Sequence, residues 1–403
     1  MAGSLLWVAV VAGAARALDL TVPYLPLAIA GGFVFFLRNR PSAQEVIAWV
    51  VAAQAFALLV RFPHDHSWIN TGSGILCLFG LGGFLILGLR WLWSGGIERR
   101  RSHAMLAPAL AIVLFVLSAQ RALNLANVLY PKTYDLYLYV FDGSLGFQPS
   151  FALGRVLASS SIFRVACLLT YISLPFIMAL VYALRLPRGT ERPSWDIITL
   201  FMLAGLGGWA LYNIVPATGP VYVFAESFPW HSLPYKVLPR LLLEQIPADA
   251  KFPRNAIPSL HMAWAMLLYW NTKRLSRGLR IFLAAYALLT AASTLATGEH
   301  YFVDLVAGLP FALAVQAIVS PDGKAAFSRR AATAAACLGL TLAWLLLVRF
   351  GVHSMLVSPL IPWGLIAFTL IAVWVTKEWL DGVEAVAQNP APPQVSASAA
   401  GLG

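Results

Sequence analysis

Charged residues are scarce in this chain. Asp, Glu, Lys and Arg make up 11% of its 403 residues, where a soluble globular protein carries about 25%. That scarcity excludes a water-facing surface over most of the molecule. Cysteine is rarer still. Cys77, Cys167 and Cys337 each lie inside an apolar run, with no metal-ligand spacing, and read as small buried hydrophobes from which no redox compartment follows. The strict alternation of a membrane barrel is also missing, because the apolar runs are continuous. No cation precedes the first apolar stretch, 5–18, whose earliest basic residue is Arg16. A secretory leader is therefore not expected, and the stretch reads as a retained helix, short or tilted.

What remains is 60% hydrophobic, with a mean hydropathy of +0.75. A spanning helix needs about 20 consecutive apolar residues. Such windows fall near 5–18, 22–37, 44–61, 72–93, 105–123, 162–184, 195–215, 258–272, 280–297, 301–319, 332–350 and 358–376. The first two are short and carry Pro23 and Pro26 between or within them, as one broken span or a re-entrant pair. The fold class expected is all-α, a polytopic membrane protein with about eleven or twelve transmembrane helices.

The formal net charge is +11. Its distribution speaks against nucleic acid, because the basic residues cluster in short loops with no aromatic-basic surface for bases. Alternate loops hold Arg38 and Arg40; Arg90, Arg99, Arg100 and Arg101; Arg185, Arg188 and Arg192; Lys273, Arg274, Arg277 and Arg280; and Lys324, Arg329 and Arg330. The loops between them, 62–71, 124–161, 216–257, 298–300 and 351–357, are poor in Lys and Arg. Lys and Arg are retained on the cytoplasmic side. The second set is thus expected to face away from the cytoplasm, with the C-terminus cytoplasmic and a bacterial inner membrane as the expected location. The tail from Ala385 is low in complexity and reads as disordered.

Two histidines fall at the mouths of consecutive spans on that second face. Lys251-Phe-Pro-Arg254-Asn-Ala-Ile-Pro258-Ser259-Leu260-His261 leads into a helix. Pro258 suits a first helical turn, where its missing N–H costs nothing, and free N–H groups there favour an anion. Ser259 offers either a hydroxyl donor to that anion or a helix cap. Arg254 either reaches a phosphate oxygen or snorkels. His261 sits where it can exchange a proton with a reacting oxygen. In Gly298-Glu299-His300-Tyr301-Phe302-Val303-Asp304, His300 and Asp304 are four apart, on one helix face. A carboxylate on one ring nitrogen makes the other a better nucleophile, and an Asp inside an apolar helix is a functional candidate by default. A third segment, Tyr212-Asn213-Ile-Val-Pro216-Ala-Thr218-Gly219-Pro220, is a rigid turn on the same face. There Tyr212, Asn213 and Thr218 offer hydrogen bonds to a headgroup.

The pair Pro-Ser-Leu-His at 258–261 and His-Tyr-x-x-Asp at 300–304 resembles the type 2 phosphatidic acid phosphatase (PAP2) superfamily, over roughly residues 160–320. It looks most like the branch of inositol phosphorylceramide and sphingomyelin synthases, which often has Leu where Leu260 stands. The resemblance implies a PAP2-like helical core and phospho-histidine chemistry on a lipid phosphate. His300 would be the nucleophile, Asp304 its orienting group, His261 the general acid/base and Ser259 a phosphate donor, with no metal or other cofactor required. The turn at 216–220 would stand for the family's first motif, bringing Thr218 and Gly219 to the substrate. It departs from the family in lacking that motif's Lys and Arg, and Thr294 stands where an Arg is expected. Arg254, then Lys251 and Arg240, are the cations left to balance the phosphate.

The expected layout is an N-terminal helical module at 1–125, an interfacial loop at 126–161, the catalytic core at 162–320, C-terminal helices at 321–384 and a tail at 385–403. The interfacial loop carries Asp135 and Asp142, for which a structural role is favoured over contact with an acceptor. His64-Asp65-His66 has ligand-like spacing but reads as a solvated turn rather than a metal site. His103, His231 and His353 have no evident partners. The expected partners are lipid substrates and the bilayer. The function expected is transfer of a phosphoryl-headgroup from a phospholipid to an alcohol. A lipid phosphate phosphatase using water comes second, and a transporter or scramblase with a relic site third.

Overall fold

The computed structural model describes residues 2–19, 22, 24–60, 68–187, 189–192, 196–272, 275–319 and 324–388. The His64-Asp65-His66 turn, Pro23, and the tail beyond 388 lie outside the described residues. The N-terminal helices are α1 (Ala2–Ala17), α2 (Leu25–Arg38), α3 (Ala43–Ala57), α4 (Trp68–Trp93) and α5 (Gly96–Leu129). They are followed by α6 (Asp135–Ser144), α7 (Pro149–Ser159), α8 (Ser161–Ile172), α9 (Leu174–Arg185), α10 (Asp196–Tyr212) and the one-turn α11 (Pro220–Phe224). Next come α12 (Leu260–Trp270), α13 (Arg277–Ala296), α14 (Phe302–Val319), α15 (Lys324–Leu346), α16 (Val352–Met355) and α17 (Leu360–Gln388). The described strands are two-residue pieces, β1 (Lys132–Thr133) and β2 (Ile246–Pro247), which pair antiparallel. They stitch the loop before α6 to the loop before α12.

The chain is an all-α integral membrane protein. Six helical stretches among the described residues are long and apolar enough to cross a bilayer: Thr71–Trp93, Gly96–Leu129, Arg277–Ala296, Phe302–Val319, Phe327–Met355 and Leu360–Gly382. The other expected spans are shorter helices. α10 has 17 residues, or about 26 Å at 1.5 Å per residue, against a hydrocarbon core of about 30 Å. α12, with 11 residues, reaches only about 17 Å. The helix expected at 162–184 is not continuous. Ser160 caps α8 through the Phe163 N–H, α7 and α8 meet at 117°, and Ser173 separates α8 from α9, where Pro175 opens the new helix. Side chains such as Leu206, Leu288 and Phe368 are well exposed. On helices of this kind such positions face lipid.

Two large apolar cores hold the molecule. One joins α2, α4 and α5 to α9 and the start of α10, through Phe35, Phe84, Met105, Met178 and Phe201. The other joins α6, α7, α10, α12, α14 and α15, through Phe141, Phe151, Leu211, Leu267, Phe311 and Trp344. In the first, α2 and α4 cross at glycines. A Cβ on Gly32 would lie 2.7 Å from the Gly80 carbonyl oxygen, one on Gly83 would lie 2.5 Å from that of Gly32, and one on Gly80 would overlap the Ile29 carbonyl. Small residues of this kind let membrane helices approach backbone to backbone. Gly80→Val is expected to lower stability by about 1–3 kcal/mol through overpacking, read as a lower thermal midpoint in detergent. An unchanged midpoint would show that α2 and α4 do not depend on this contact.

Candidate active site

Three segments meet at one face, bound together through their backbones. The Ala256 N–H donates to the Ala217 carbonyl at 3.1 Å, Val221 N–H to Gly298 at 3.0 Å, and Ser259 N–H to Asp304 at 2.9 Å. Two glycines make the fit. Gly219 (φ 120°) and Gly298 (φ 76°) have left-handed backbones, which only glycine adopts freely. A Cβ on Gly219 would sit 2.5 Å from the Glu299 carbonyl oxygen. The chain turns sharply at Gly298.

The segments bring His261 and His300 together, with ring centroids 5.7 Å apart and planes inclined at 71°. His300 is held on every side. Its N–H donates to the Thr294 carbonyl at 3.2 Å, and its carbonyl accepts from Ser150 Oγ at 2.8 Å. Nδ1 lies 3.3 Å from Asp304 Oδ2 and Nε2 lies 3.3 Å from Ser259 Oγ, while the Ala256 carbonyl also bonds the ring. Asp304 Oδ2 accepts a second bond from the Tyr301 N–H at 2.7 Å. Its Oδ1 is buried without a hydrogen-bond partner among the described residues, a costly state that points to a demand other than stability. Burial lowers the His300 pKa to about 4, against the opposing pull of the nearby Glu299 carboxylate. Burial raises the pKa of Glu299, whose oxygens accept from Tyr222 Oη at 2.8 and 2.9 Å.

Of the two roles expected for Ser259, the helix cap is observed. Ser259 caps α12 by accepting from the Met262 N–H at 3.4 Å, and the same hydroxyl faces His300. Three other expectations are corrected. Pro258 stands outside the first turn of α12, since Ser259 is the cap and the helix begins at Leu260. The N–H groups at that helix start are largely taken: Met262 by Ser259 and Leu260 by the Tyr212 hydroxyl. Tyr212 therefore braces α12 from α10.

Arg254 is the second correction. It is fully buried, and its guanidinium donates to the carbonyls of Tyr130 (2.9 Å), Asp249 (3.0 Å), Phe252 (2.6 Å) and Ala248 (2.9 Å). Four of its five N–H groups are thus spent on backbone. Its side chain is turned into the protein, where it knots the loop before α12. Lys251 is an exposed loop residue, and Arg240 is exposed at the end of a short 3-10 helix.

The third correction concerns the turn at 216–220. Asp135 Oδ1 and Oδ2 accept from the Thr218 N–H at 3.1 and 3.0 Å, Oδ2 from Thr218 Oγ1 at 3.1 Å, and Oδ1 from the Gly219 N–H at 2.9 Å and Tyr301 Oη at 3.1 Å. The donors of Thr218 and Gly219 thus face a carboxylate of the protein. Burial raises the Asp135 pKa, and these donors offset part of the rise. Asp142, also on α6, accepts from the Phe302 N–H at 2.7 Å and the Val303 N–H at 3.2 Å, so it caps α14 from another helix. The structural role expected for these two residues is the observed one. Their precise partners were not legible, although an Asp in an apolar segment signals a buried carboxylate that needs donors. Tyr24 and Tyr171, which touch His261, carried no sequence signal.

A cavity of about 340 Å³ ends at His261, Tyr24 and Tyr212. Apolar residues of α5, α9, α10 and α12 wall it, among them Phe115, Met178, Leu206 and Trp264. Among the described residues no group of three His, Cys, Asp or Glu is arranged to hold a metal ion.

A family model described as the PAP2 superfamily matches residues 136–318, just under half of the chain. The match runs from within α6 through α14 and includes both histidines and Asp304. It supports membership of that superfamily for the segment, and with it phosphatase- or phosphotransferase-type chemistry on a lipid phosphate. No curated protein and no solved structure matches the chain.

Arg254→Lys separates a structural from a substrate-binding role. A single ammonium cannot span four carbonyls, so a loss of about 1–3 kcal/mol is expected from the acceptors left unmet, seen as a lower thermal midpoint. A raised KM at unchanged stability would instead place Arg254 on the phosphate.

Proposed function

We propose that the protein is a lipid phosphotransferase acting through a phospho-histidine, of the kind found in the inositol phosphorylceramide and sphingomyelin synthase branch. The observation that carries the reading is the His261–His300–Asp304 arrangement at the end of an apolar cavity. Asp304 holds Nδ1 of His300, which leaves Nε2 as the attacking atom. Nε2 forms a bond to phosphorus as the bond from phosphorus to the diacylglycerol oxygen breaks, and His261 supplies that oxygen with a proton. An alcohol then gives its proton to His261 and attacks phosphorus, and the P–N bond breaks to return neutral His300. The apolar cavity is suited to the chains of whichever alcohol stands beside His261.

Charge supports the transferase over the phosphatase. The cations expected to serve the phosphate are knotted into a loop or exposed, and Glu299 stands beside the nucleophile. A phosphodiester, with one negative charge, is opposed less in such a site than a phosphomonoester with two. The loop-charge pattern supports a site that opens on the extracytoplasmic face.

Labelled phospholipid should yield free diacylglycerol and a new lipid when a candidate alcohol is present, with little free phosphate or free headgroup-phosphate. His300→Ala should abolish turnover. Release of headgroup-phosphate from the phospholipid, or of free phosphate from phosphatidate, regardless of alcohol would replace this reading with hydrolysis by water. Lipid movement retained by His300→Ala, without chemistry in the wild type, would point to transport.

The pH dependence follows from the buried nucleophile. A histidine whose pKa is lowered to about 4 stays neutral, and so nucleophilic, until the pH falls through that value. Single-turnover release of diacylglycerol should therefore show no acidic loss between about pH 7 and 5 from His300. A loss centred near 6.5, the ordinary histidine value, would contradict the burial.

A further inference from the structure

His261 is gripped by two residues that the reaction above does not use. The Tyr24 hydroxyl lies 2.8 Å from Nε2. The Tyr171 ring stacks on the imidazole at 4.3 Å and 25°, and the two tyrosines hydrogen-bond each other. Tyr171 belongs to α8, inside the matched segment. Tyr24 does not: it precedes α2, 237 residues away from His261. Its backbone is left-handed, at φ 66° and ψ −18°. That conformation is an outlier for a bulky side chain and persists only where the surroundings enforce it. The glycine crossing of α2 on α4, together with the contact of Gly31 with Ala179 of α9, supplies such surroundings.

We propose that Tyr24 is a positioning residue for His261, holding Nε2 so that Nδ1 exchanges the proton with the reacting alcohol oxygen. The proposal rests on the phospho-histidine reading. The partner of one imidazole nitrogen fixes the role of the other. A phenol suits the acid/base histidine as a carboxylate suits the nucleophile. Its oxygen accepts from Nε2–H both when His261 is the imidazolium and after Nδ1 has released its proton. Being neutral, it does not stabilise the imidazolium as Asp304 would, so the ring gives its proton up readily. Tyr24 keeps its own proton throughout, and the mobile proton passes only between Nδ1 and the alcohol.

The groups facing His261 are few. Among the described residues they are Tyr24 before α2, Tyr171 on α8, the His300 ring edge, and Tyr212 of α10, which lines the same cavity. Glu299 stands behind His300 near both tyrosines. No carboxylate hydrogen-bonds His261 among the described residues. The N-terminal helices, which lie outside the matched segment, thus complete the catalytic site and line its cavity through α5.

The test uses the full-length protein. General acid–base catalysis contributes about 10²–10⁴-fold. Tyr24→Phe keeps the ring and removes the hydroxyl, so kcat should fall by about tenfold or more with KM little changed. Replacing Tyr24 by 3-fluorotyrosine, which alters the acidity of the phenol but hardly its shape, should shift the pH profile of kcat. A packing role alone would move neither. Nitrogen-15 NMR of labelled histidines, with His261 assigned from His261→Gln, gives a readout free of turnover. The wild type should show one fixed His261 tautomer and Tyr24→Phe an averaged one. Unchanged kcat, pH profile and nitrogen shifts would overturn the proposal while leaving the phospho-histidine reading intact. Full activity in His300→Ala would overturn that reading whatever Tyr24 does.

Discussion

Asp304 ties the site together. Its carboxylate holds the His300 ring and the Tyr301 N–H, and its backbone carbonyl takes the Ser259 N–H, two residues before His261. One residue near the start of α14 thereby fixes both the orientation of one histidine and the distance to the other. In a setting without water, buried polar groups must be met by protein, so these bonds leave little freedom to either ring. The two carboxylates of α6 extend the same logic. Asp142 holds the start of α14, and Asp135 holds the turn that packs against Gly298. The site is a frame of backbone donors closed by three buried acids.

Much of this was legible in the sequence, for identifiable reasons. The loop-charge pattern and the lengths of the apolar runs put His261 and His300 at one face, because one helix between them carries the chain away and the next returns it. The spacing of His300 and Asp304 pointed to their contact, although His300 stands two residues before α14 and not on its face. Arg254 misled, because a cation near a presumed phosphate site looks like a ligand. Whether its five donors meet a phosphate or four carbonyls depends on how the loop before α12 folds, and that is set by β1 pairing with β2 far along the chain. Tyr24 was invisible for a similar reason. Its role arises from a contact spanning more than half the sequence, and a lone tyrosine between prolines has no local signature. The break of 162–184 at Ser173 was hidden by continuous hydrophobicity, which records burial but not direction.

The N-terminal helices gain a physical rationale. They pack by glycine-mediated contact on α9, present Tyr24 to His261, and supply through α5 one wall of the apolar cavity. A superfamily core without them would keep both histidines yet lose a partner of His261 and one wall of the cavity beside it. The scarcity of available cations then follows as a coherent feature: an apolar, weakly cationic site suits a singly charged phosphodiester and a lipid alcohol better than a dianionic phosphate.

The most direct test is to catch the covalent intermediate. The wild-type protein, mixed with phospholipid in the absence of an acceptor alcohol and quenched in alkali where phosphohistidine survives, should carry an adduct on His300 with the mass of the phosphoryl-headgroup. An adduct on another residue, or none on any residue in a protein that still turns over, would contradict the account.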